Sequence, residues 1–392
     1  MIIETLKLRD FRNYRELEIQ PHPGINLLFG QNGSGKTNLL EAVHYCALGR
    51  SHRTGSDREV VRKGAAMGAC GVQVRKASGR CDVAVKLTPD ESRKKSVFID
   101  RKRAPRLSDM MGRLQCVIFS PEDLMLVKEG PAVRRRFLDM LLSQLSTGYF
   151  LALQQYQKAL EQRNAILRDI RRGGKCENAM LDAFEDAMAV PCQVIIPARE
   201  RILSTMAGCA AEKYRAISGR EGERFALRYV CCMKDEADLA EFVRATLRKS
   251  RGDDILRGTT SFGVHREDID FSLSGRDMKL FASQGQIRTA ALSVKLAQLD
   301  VFRRESGEAP VLLLDDVMSE LDMTRRTHLL DEIHDVQTFV TCTDESDLSG
   351  CLRRRSYQVT LDENNCALLK EVHRGDETNI PADPALDESD FS

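Results

Sequence analysis

The sequence predicts an α/β fold, and three patterns support that prediction. A short apolar segment, residues 24–29, runs directly into a glycine-rich loop that is followed by a helical pattern. A second apolar segment far downstream, residues 309–316, ends in two aspartates. Between them lie a group of short alternating segments and two long apolar stripes with helical spacing. A buried sheet covered by helices, with a small β subdomain and a helical insertion, accounts for all three.

The glycine-rich loop is the strongest signal in the chain. It matches the pattern G-x-x-x-x-G-K-[ST], with a strand before it and a helical run from Asn38 after it. Glycines let successive backbone N–H groups face a phosphate, and the helix N-terminus adds its positive end. We expect Lys36 to bridge the β and γ phosphates of ATP and to act in catalysis, and Thr37 to offer its hydroxyl to Mg²⁺. The predicted ATP-binding residues of the loop are Gly30, Gln31, Asn32, Gly33, Ser34, Gly35, Lys36 and Thr37.

The downstream apolar segment supplies the acidic group that a nucleotide-binding loop needs. Four apolar residues after Pro310 are typical of a strand buried on both faces of a parallel sheet. Such a strand delivers Asp315 to the carboxyl edge of the sheet, where the metal ion would lie. Asp315 is therefore the predicted Mg²⁺ ligand, and Asp316 is the predicted catalytic group that orients the attacking water.

Two further segments indicate which kind of ATPase this is. Ser283-Gln284-Gly285-Gln286 precedes a long helical run and forms a second anion cradle. Ser319-Glu320-Leu321-Asp322 follows the acidic strand at the distance expected of an ABC-type D-loop. One chain cannot easily use two cradles on one ATP, but two chains placed head to tail can. The predicted fold is therefore an ABC-type P-loop ATPase head that forms an ATP-dependent homodimer. Ser283 is predicted to act in catalysis on the γ-phosphate held by the partner. The predicted nucleotide contacts from the second cradle and the D-loop are Ser283, Gln284, Gly285, Gln286 and Asp322.

The chain divides into a head, an arm and a tail. Residues 1–120 and 255–372 are predicted to form the ATPase head, with an antiparallel β subdomain at about residues 65–100. Residues 121–254 are predicted to form an inserted, mainly helical arm. Residues 373–392 form an acidic tail that we expect to be disordered.

Within the arm, the apolar stripe from Phe137 to Ile170 predicts one helix of about 33 residues, roughly 50 Å long. A Gly173-Gly174 turn follows, and a second stripe returns. Pro191 and Pro197 are expected to kink or divide this return limb. The arm is thus predicted to be short and helical.

Composition excludes several classes of protein. The chain has 392 residues, of which 42% are hydrophobic and 30% charged, as in an ordinary globular protein. No apolar run is long enough to span a bilayer and the N-terminus lacks a signal peptide, so we expect a cytoplasmic protein without a membrane partner. The 12 cysteines lack zinc-site spacing. Without residues 376–392, which hold six acidic residues and no basic ones, the net charge is about +7, which is compatible with a polyanionic partner.

These motifs, taken in order, resemble the RecF family of recombination mediators, which is related to the SMC ATPases. The resemblance covers about residues 1–370 and extends to further segments, which are residues 6–14, 120–124, 130–131, 134–139 and 263–267. It implies an ATP-dependent dimer that binds double-stranded DNA near single-strand gaps. It also implies action with RecR and RecO to load RecA in gap repair, replication restart and the SOS response.

The chain departs from the family pattern in places. It has Gly263-Val264-His265-Arg266-Glu267 where the family usually has Gly-Pro-His-Arg-Asp, and we assign no role to His265 and Arg266. Asp316 is one methylene shorter than the glutamate of many ABC ATPases, which predicts a weak, DNA-dependent ATPase that acts as a switch. Gln115 is a candidate contact for Mg²⁺, and Arg12 and Asn13 are candidate contacts for adenine.

Contacts to DNA are less well specified by the sequence. Any of several basic clusters could follow a phosphate backbone, and aromatic residues that could stack on bases are not interleaved with them. The clusters lie at residues 93–95, 101–106, 134–136 and 171–175. Two other functions remain as alternatives, a structural chromosome protein of SMC type and the motor subunit of an ABC transporter. The short arm argues against the first and the Ser-Gln-Gly-Gln cradle against the second.

Overall fold

The structure of the protein is a computed structural model. The residues that it describes are 1–91, 94–174, 178–233, 237–345 and 354–372. The predicted acidic tail, Arg93 and Lys175 lie outside these residues.

Strands and helices occur mostly in groups along the chain. The strands are β1 (Ile2–Phe11), β2 (Tyr14–Ile19), β3 (Ile25–Phe29), β4 (Gly68–Lys76), β5 (Gly79–Leu87), β6 (Lys95–Ile99), β7 (Lys102–Arg103), β8 (Cys116–Phe119), β9 (Phe225–Val230), β10 (Asp268–Leu273), β11 (Arg276–Asp277), β12 (Val311–Asp315), β13 (Thr338–Cys342), β14 (Arg354–Leu361) and β15 (Ala367–Val372). The helices are α1 (Lys36–Leu48), α2 (Asp57–Val60), α3 (Pro131–Leu145), α4 (Thr147–Arg171), α5 (Asn178–Ser218), α6 (Leu239–Arg257), α7 (Met278–Phe281), α8 (Gln284–Ser306) and α9 (Met323–Glu332).

The central sheet has the strand order β15-β14-β3-β13-β12-β8. Its strands run parallel except for β15, which pairs antiparallel at one edge. All five residues of β12 and of β13 are buried, as expected of strands covered on both faces. The carboxyl ends of β3 and β12 therefore meet at one edge of the sheet, and this edge positions the site.

The central sheet separates two hydrophobic cores. Val311 and Leu313 of β12 pack with α1 and the antiparallel strands, whereas Leu312 and Leu314 pack with α8 and the arm helices. Successive residues of a strand point to opposite faces, so one short strand contributes to both cores. The sheet is thus the middle layer of three.

The antiparallel β subdomain is larger than the sequence predicted. Strands β4, β5 and β6 occupy the predicted region, but β1 and β2 join them in a six-stranded sheet of order β2-β1-β4-β5-β6-β7. Their alternating pattern turns one face toward α1, with Leu6, Leu8, Val72 and Val83 buried. A separate small sheet, β11-β10-β9, lies in the part of the chain between α5 and α7.

The prediction of one 33-residue helix in the arm is wrong. The segment forms two helices, α3 and α4, separated at Ser146. Ser146 has extended backbone dihedrals, and its side-chain oxygen accepts a hydrogen bond from the backbone N–H of Tyr149. This N-cap starts a new helix, although the apolar stripe continues across it.

Pro191 and Pro197 do not divide the return limb, because α5 runs without interruption through both prolines; the alternative, a kink, stays a prediction. Each proline leaves one carbonyl without its helical hydrogen bond, and these carbonyls belong to Ala187 and Gln193. Both residues are exposed, so water can satisfy the freed oxygens. The remaining packing of α5 against α4, α6 and α8 holds the helix together.

The arm helices share one hydrophobic core with the head. Residues of α4, α5 and α6 belong to the same buried cluster as residues of α8, β12 and β13. The boundaries of the arm at residues 121 and 254 stay a prediction. Among the described residues, no helix combines the length and the apolar composition needed to cross a bilayer.

Candidate functional site

The glycine-rich loop lies between β3 and α1, at the carboxyl end of a buried strand. Gly30, Gly33 and Gly35 have positive φ, and a Cβ on Gly30 would lie 2.2 Å from the backbone oxygen of Val359. A Cβ on Gly35 would lie 2.7 Å from the side chain of Asn13. Only glycine fits these close approaches, so the loop curls tightly against its neighbours.

Lys36 is folded back into this loop. Its Nζ donates hydrogen bonds to the backbone oxygens of Gly30, at 2.6 Å, and Gln31, at 2.9 Å. Burial lowers the pKa of Lys36, and the carboxylates of Asp316 and Asp315 oppose that shift by favouring the charged form. The loop therefore surrounds a cation that faces two acidic side chains.

The interior of the loop fits a phosphate group. The N-cap of α1 is Gly35, which has no side chain to cover the first N–H groups of the helix. Ser34 Oγ is buried and has no hydrogen-bond partner among the described residues. A Cβ on Gly33 would meet nothing within 4 Å, so the loop is open at that point. Uncovered N–H groups, a free hydroxyl and an ammonium are the donors that bind phosphate oxygens.

Asp315 is joined directly to the loop. Its Oδ1 accepts hydrogen bonds from Thr37 Oγ1 at 2.7 Å and from Thr341 Oγ1 at 2.9 Å. The hydroxyl of Thr341 also accepts the backbone N–H of Asp316 at 2.8 Å. Oxygen atoms of a hydroxyl and a carboxylate therefore lie together, and these are ligands that Mg²⁺ prefers.

Thr341 was missed by the sequence reasoning. It lies near the end of β13, next to the acidic strand β12, and it holds both aspartates. A hydroxyl at the carboxyl end of the neighbouring parallel strand is a weak signal, but it could have been noticed. Asp316 itself is exposed and has a positive φ of 53°, so the backbone leaves the strand direction at this residue.

The second cradle is formed by the start of α8. Ser283 is the N-cap, and its Oγ accepts the backbone N–H of Gln286 at 3.3 Å while its own N–H binds Gln286 Oε1 at 2.8 Å. Gln286 also donates to Glu223 at 2.9 Å. Ser283 and Gln284 are exposed. The cradle is thus a capped helix N-terminus that faces solvent.

The D-loop segment lies beside this second cradle. Asp322 caps α9 and forms an ion pair with Arg325, whose guanidinium donates to the backbone oxygen of Gly285 at 3.1 Å. Ser319 Oγ donates to the backbone oxygen of Asp316 at 3.0 Å. A cavity of about 240 Å³ lies between the two segments, and Ser283, Gly285, Gln286, Asp322 and Arg325 line it together with other residues. The D-loop therefore links the acidic strand to the second cradle.

Within the chain the two cradles are separate. The hydrogen bonds of Ser283 and Gln286 go to α8 and Glu223, and none that the structure describes reaches residues 30–37. The loop lies with Asp315 and Asp316, and Ser283 to Gln286 lie with Asp322 in a second group.

The candidate adenine contacts, Arg12 and Asn13, brace the loop. Arg12 forms two hydrogen bonds with the carboxylate of Glu41 on α1, at 2.8 and 2.7 Å. Burial would raise the pKa of Glu41, but hydrogen bonds from Arg12 and Ser51 lower it. Asn13 Nδ2 donates to the backbone oxygen of Ser34 at 3.0 Å. A glutamate on the buried face of α1 was the signal for this contact, and the sequence reasoning missed it.

Gln115 lies far from the metal-side carboxylate. It precedes β8, and its backbone oxygen accepts the N–H of Val311 at the amino end of β12, whereas Asp315 is at the carboxyl end. Its Nε2 donates to the backbone oxygen of Gln144 at 3.3 Å. The suggestion that Gln115 contacts Mg²⁺ is therefore wrong.

The segment of residues 263–267 has an internal structural role. His265 shares a hydrogen bond with Tyr156 OH at 2.7 Å, and Arg266 donates to the backbone oxygen of Thr260 at 2.8 Å. A Cβ on Gly263 would lie 2.2 Å from Tyr156 OH. Glu267 pairs with the buried Arg199. The segment thus joins the head to α4 and α5.

The basic clusters differ in how far they are engaged within the chain. Arg134 pairs with Asp268 at 2.6 Å, Arg135 donates to the backbone oxygen of Glu267, and Arg136 donates to that of His52. Lys95 pairs with Asp57 at 3.0 Å. Residues 101–103 and 106 and residues 171–172 are exposed.

Comparison with known proteins gives consistent matches. The family model described as RecF/RecN/SMC N terminal domain matches residues 2–367. The protein named DNA replication and repair protein RecF from Ruminiclostridium cellulolyticum is 38% identical, over 91% of this chain and 96% of the relative. A second protein of the same name, from Limosilactobacillus fermentum, is 40% identical over 92% of this chain and 96% of the relative.

Solved structures agree with these matches. The solved structure of the recombination mediator protein RecF-ATP in RecFOR pathway superposes with a TM-score of 0.84 at 31% identity, covering 95% of this chain and 98% of that chain. The Smc head domain of Pyrococcus furiosus matches with a TM-score of 0.54 at 14% identity, covering 95% of this chain and 96% of that chain, and shows the fold alone. The predicted α/β fold with an ABC-type ATPase head is confirmed. Three observations agree: the order of motifs in the sequence, the match to the family model, and relatives at about 40% identity over nearly their whole length. The chain therefore belongs to the RecF family.

Proposed function

We propose that the chain is an ATP-dependent DNA-binding protein of recombinational repair, in which ATP joins two copies and slow hydrolysis releases them. One observation carries the proposal. The hydrogen bond of 2.7 Å between Thr37 and Asp315 unites the glycine-rich loop with an acidic strand that lies far downstream in the sequence. The names of the relatives, DNA replication and repair protein RecF, support the cellular role.

The nucleotide half-site is proposed to hold the triphosphate through backbone N–H groups of residues 30–37 and the ammonium of Lys36. The RecF relative whose solved structure is named as RecF-ATP supports this assignment. Lys36 Nζ binds two backbone oxygens and would exchange them for phosphate oxygens. Thr37 Oγ1 and Asp315 would hold Mg²⁺, which neutralises charge on the β and γ phosphates when it is bound.

The second half-site is proposed to come from another copy of the chain. Ser283 and the N-terminus of α8 would cap the γ-phosphate held by the partner, because they face solvent and lack a phosphate loop of their own. Large apolar side chains surround this cradle: Leu280 is 71% exposed, Phe281 is 68% exposed and Met323 is 73% exposed. Exposed apolar groups around a polar cradle are typical of an interface that a partner covers.

Asp316 is the proposed group that orients the attacking water, since this exposed residue directly follows the proposed metal ligand Asp315 at the end of β12. Its short side chain predicts slow turnover. Hydrolysis would then time the release of the dimer, so that the protein acts as a weak, DNA-dependent ATPase switch.

Double-stranded DNA next to a single-strand gap is the proposed substrate of the dimer. RecR and RecO are the proposed protein partners, and loading of RecA is the proposed outcome. The solved RecF relative is named as a member of the RecFOR pathway, and this supports the partner assignment.

The proposal is tested by measuring duplex DNA binding by fluorescence anisotropy with and without ATP. We expect ATP to strengthen binding by at least about tenfold, or about 1.4 kcal/mol. Lys36→Ala should remove the response to ATP because the phosphates lose their cation. Lys63→Ala, which changes an exposed lysine outside the loop, should keep it. Equal affinity with and without ATP for the unmodified protein would contradict the proposal.

A further inference from the structure

Four arginines converge where α4 and α6 end. Arg168 and Arg171 lie in the last turn of α4, Arg172 follows it, and Arg257 is the last residue of α6. A Cβ on Gly258 would lie 3.3 Å from Arg168 Cγ and 3.4 Å from Arg171 Cδ, so both side chains cross the end of α6. Arg171 Nη1 donates to the backbone oxygen of Arg257 at 3.1 Å. We call these four residues the arm-end cluster.

The four residues of the arm-end cluster are exposed, and their positive charge is only partly compensated. All four residues are exposed, and within the described part of the chain none of them forms an ion pair with a carboxylate. The neighbouring acidic residues, Asp169 and Asp253, are fewer than the arginines. Arg168 lies three residues before Arg171 and four residues before Arg172. At this spacing like charges on a helix repel each other.

Stabilisation of the helix ends accounts for only part of this arrangement. A cation in the last turn of a helix is favourable because it lies at the negative end of the helix dipole. Arg171 has a further structural role, because it satisfies a terminal carbonyl of α6. No such structural role is seen for Arg168, Arg172 and Arg257 among the contacts that the structure describes. Repulsion between these cations lowers stability unless an anion binds to them.

We propose that the arm-end cluster binds the phosphate backbone of duplex DNA, an inference that rests on the proposed function above. The arginine fork binds phosphate oxygens in pairs, and several guanidiniums at adjacent positions match the closely spaced charges of a nucleic acid. No aromatic residue belongs to the cluster, so base stacking is not part of the contact. Binding through this surface is therefore insensitive to sequence and sensitive to salt.

The test is duplex DNA binding by the full-length protein with ATP, measured by anisotropy over a series of salt concentrations. The test variant is Arg168→Gln, Arg172→Gln and Arg257→Gln together, with Arg171 left in place. We expect the slope of log affinity against log salt to fall by about one for each phosphate that the variant no longer neutralises. Affinity at about 0.15 M salt should fall by roughly tenfold or more, whereas thermal stability should be unchanged or slightly higher because repulsion is relieved.

Two controls separate the contact from a general effect of charge. Arg15→Gln, Arg58→Gln and Arg304→Gln together remove the same charge from exposed arginines on β2, α2 and α8, and this variant should keep most of the salt slope. Arg168→Lys, Arg172→Lys and Arg257→Lys together keep the charges and should retain the salt slope, because the slope counts the phosphates that are neutralised.

Two results would overturn the inference. If the glutamine variant of the arm-end cluster and the control variant bind DNA equally, the cluster does not contact DNA and an acidic protein surface becomes its better partner. In that case the proposed function stands, because the unmodified protein still binds DNA. If the unmodified protein does not bind DNA at all, the proposed function fails as well.

Discussion

Asp315 is held by two hydroxyl groups, and the second of them has a clear role at the scale of single residues. Thr341 Oγ1 donates to the carboxylate of Asp315 and accepts the N–H of Asp316, so it fixes both aspartates relative to the loop. Thr37 is expected to turn to the metal ion when nucleotide binds. Thr341 would then be the hydroxyl that keeps Asp315 in position.

Thr341→Val should therefore weaken Mg²⁺-dependent ATP hydrolysis by about tenfold and lower the free energy of unfolding by about 1–3 kcal/mol. The valine has the same shape but leaves the N–H of Asp316 without its acceptor. Steady-state ATPase assays and chemical denaturation measure the two effects. Thr341→Ser keeps the hydroxyl and should behave like the unmodified protein; equal losses in both variants would show that the methyl group matters instead.

His265 gives the protein a pH dependence that can be assigned to one residue. Burial lowers the pKa of His265 to about 4, whereas an unfolded histidine has a pKa of about 6.5. Between these values the unfolded chain takes up a proton that the folded chain does not. Stability from this residue is therefore complete above about pH 6.5 and is lost as the pH falls toward about 4.

His265→Gln should reduce this loss. We expect the unmodified protein to lose about 2 kcal/mol more than the variant between about pH 7 and about pH 4.5, in denaturant titrations at each pH. His334→Gln changes an exposed histidine after α9 and serves as the control. Parallel curves for the unmodified protein and His265→Gln would rule out this assignment.

At the scale of elements, a buried ionic network joins the arm helices. Arg163 on α4 is completely buried and pairs with Glu185 of α5 at 3.1 Å and with Asp254 of α6 at 2.8 Å. It also donates to Thr260 Oγ1 at 2.8 Å. One guanidinium therefore bridges carboxylates from two other helices, and Arg251 supplies a second cation to Glu185.

Arg163→Met should lower the free energy of unfolding by about 3–5 kcal/mol, because it leaves the buried carboxylate of Asp254 without its cation, whereas Glu185 keeps its ion pair with Arg251. Arg248→Met is the matched control, since Arg248 pairs with Asp182 at 3.3 Å while its side chain is about half exposed. The control should cost less than about 1 kcal/mol. Urea denaturation compares the two, and a similar small loss for both would contradict the assigned role of the network.

The strands and helices also show which features of the fold hydrophobic periodicity can predict. The strand before Gly30 and the strand that ends at Asp315 were predictable, because a short apolar run beside a sharp turn has few other structures available. The break at Ser146 was not predicted, because the apolar stripe continues across it and a serine cap is a common local feature. The uninterrupted α5 depends on solvent reaching the carbonyls that Pro191 and Pro197 leave free, and this is a property of the tertiary packing.

At the scale of the whole molecule, the family and the order of motifs were visible in the sequence, but the distance between the two cradles was not. The contact of Thr37 with Asp315 followed from parallel strands ending at the same edge. The contact of Arg12 with Glu41 had one local signal, a glutamate on the buried face of α1, which the sequence reasoning missed. The convergence of arginines beside Gly258 depends on packing between segments distant in sequence, for which the sequence carries no local pattern. The residue at which β8 begins decides at which edge of the sheet Gln115 lies, and the sequence did not define that residue.

The central claim is that one ATP is enclosed by the loop of one copy and the Ser283 cradle of another. The most direct test mixes two inactive variants, Lys36→Ala and Ser283→Arg, and measures ATP-dependent dimer formation by sedimentation together with ATP hydrolysis. A mixed dimer contains one site with both an intact Lys36 and an intact Ser283. The account predicts that each variant alone stays monomeric with ATP and that the mixture regains dimers and up to about half of the normal hydrolysis per dimer. If the mixture is as inactive as its components, or if Ser283→Arg dimerises normally by itself, the composite site is contradicted.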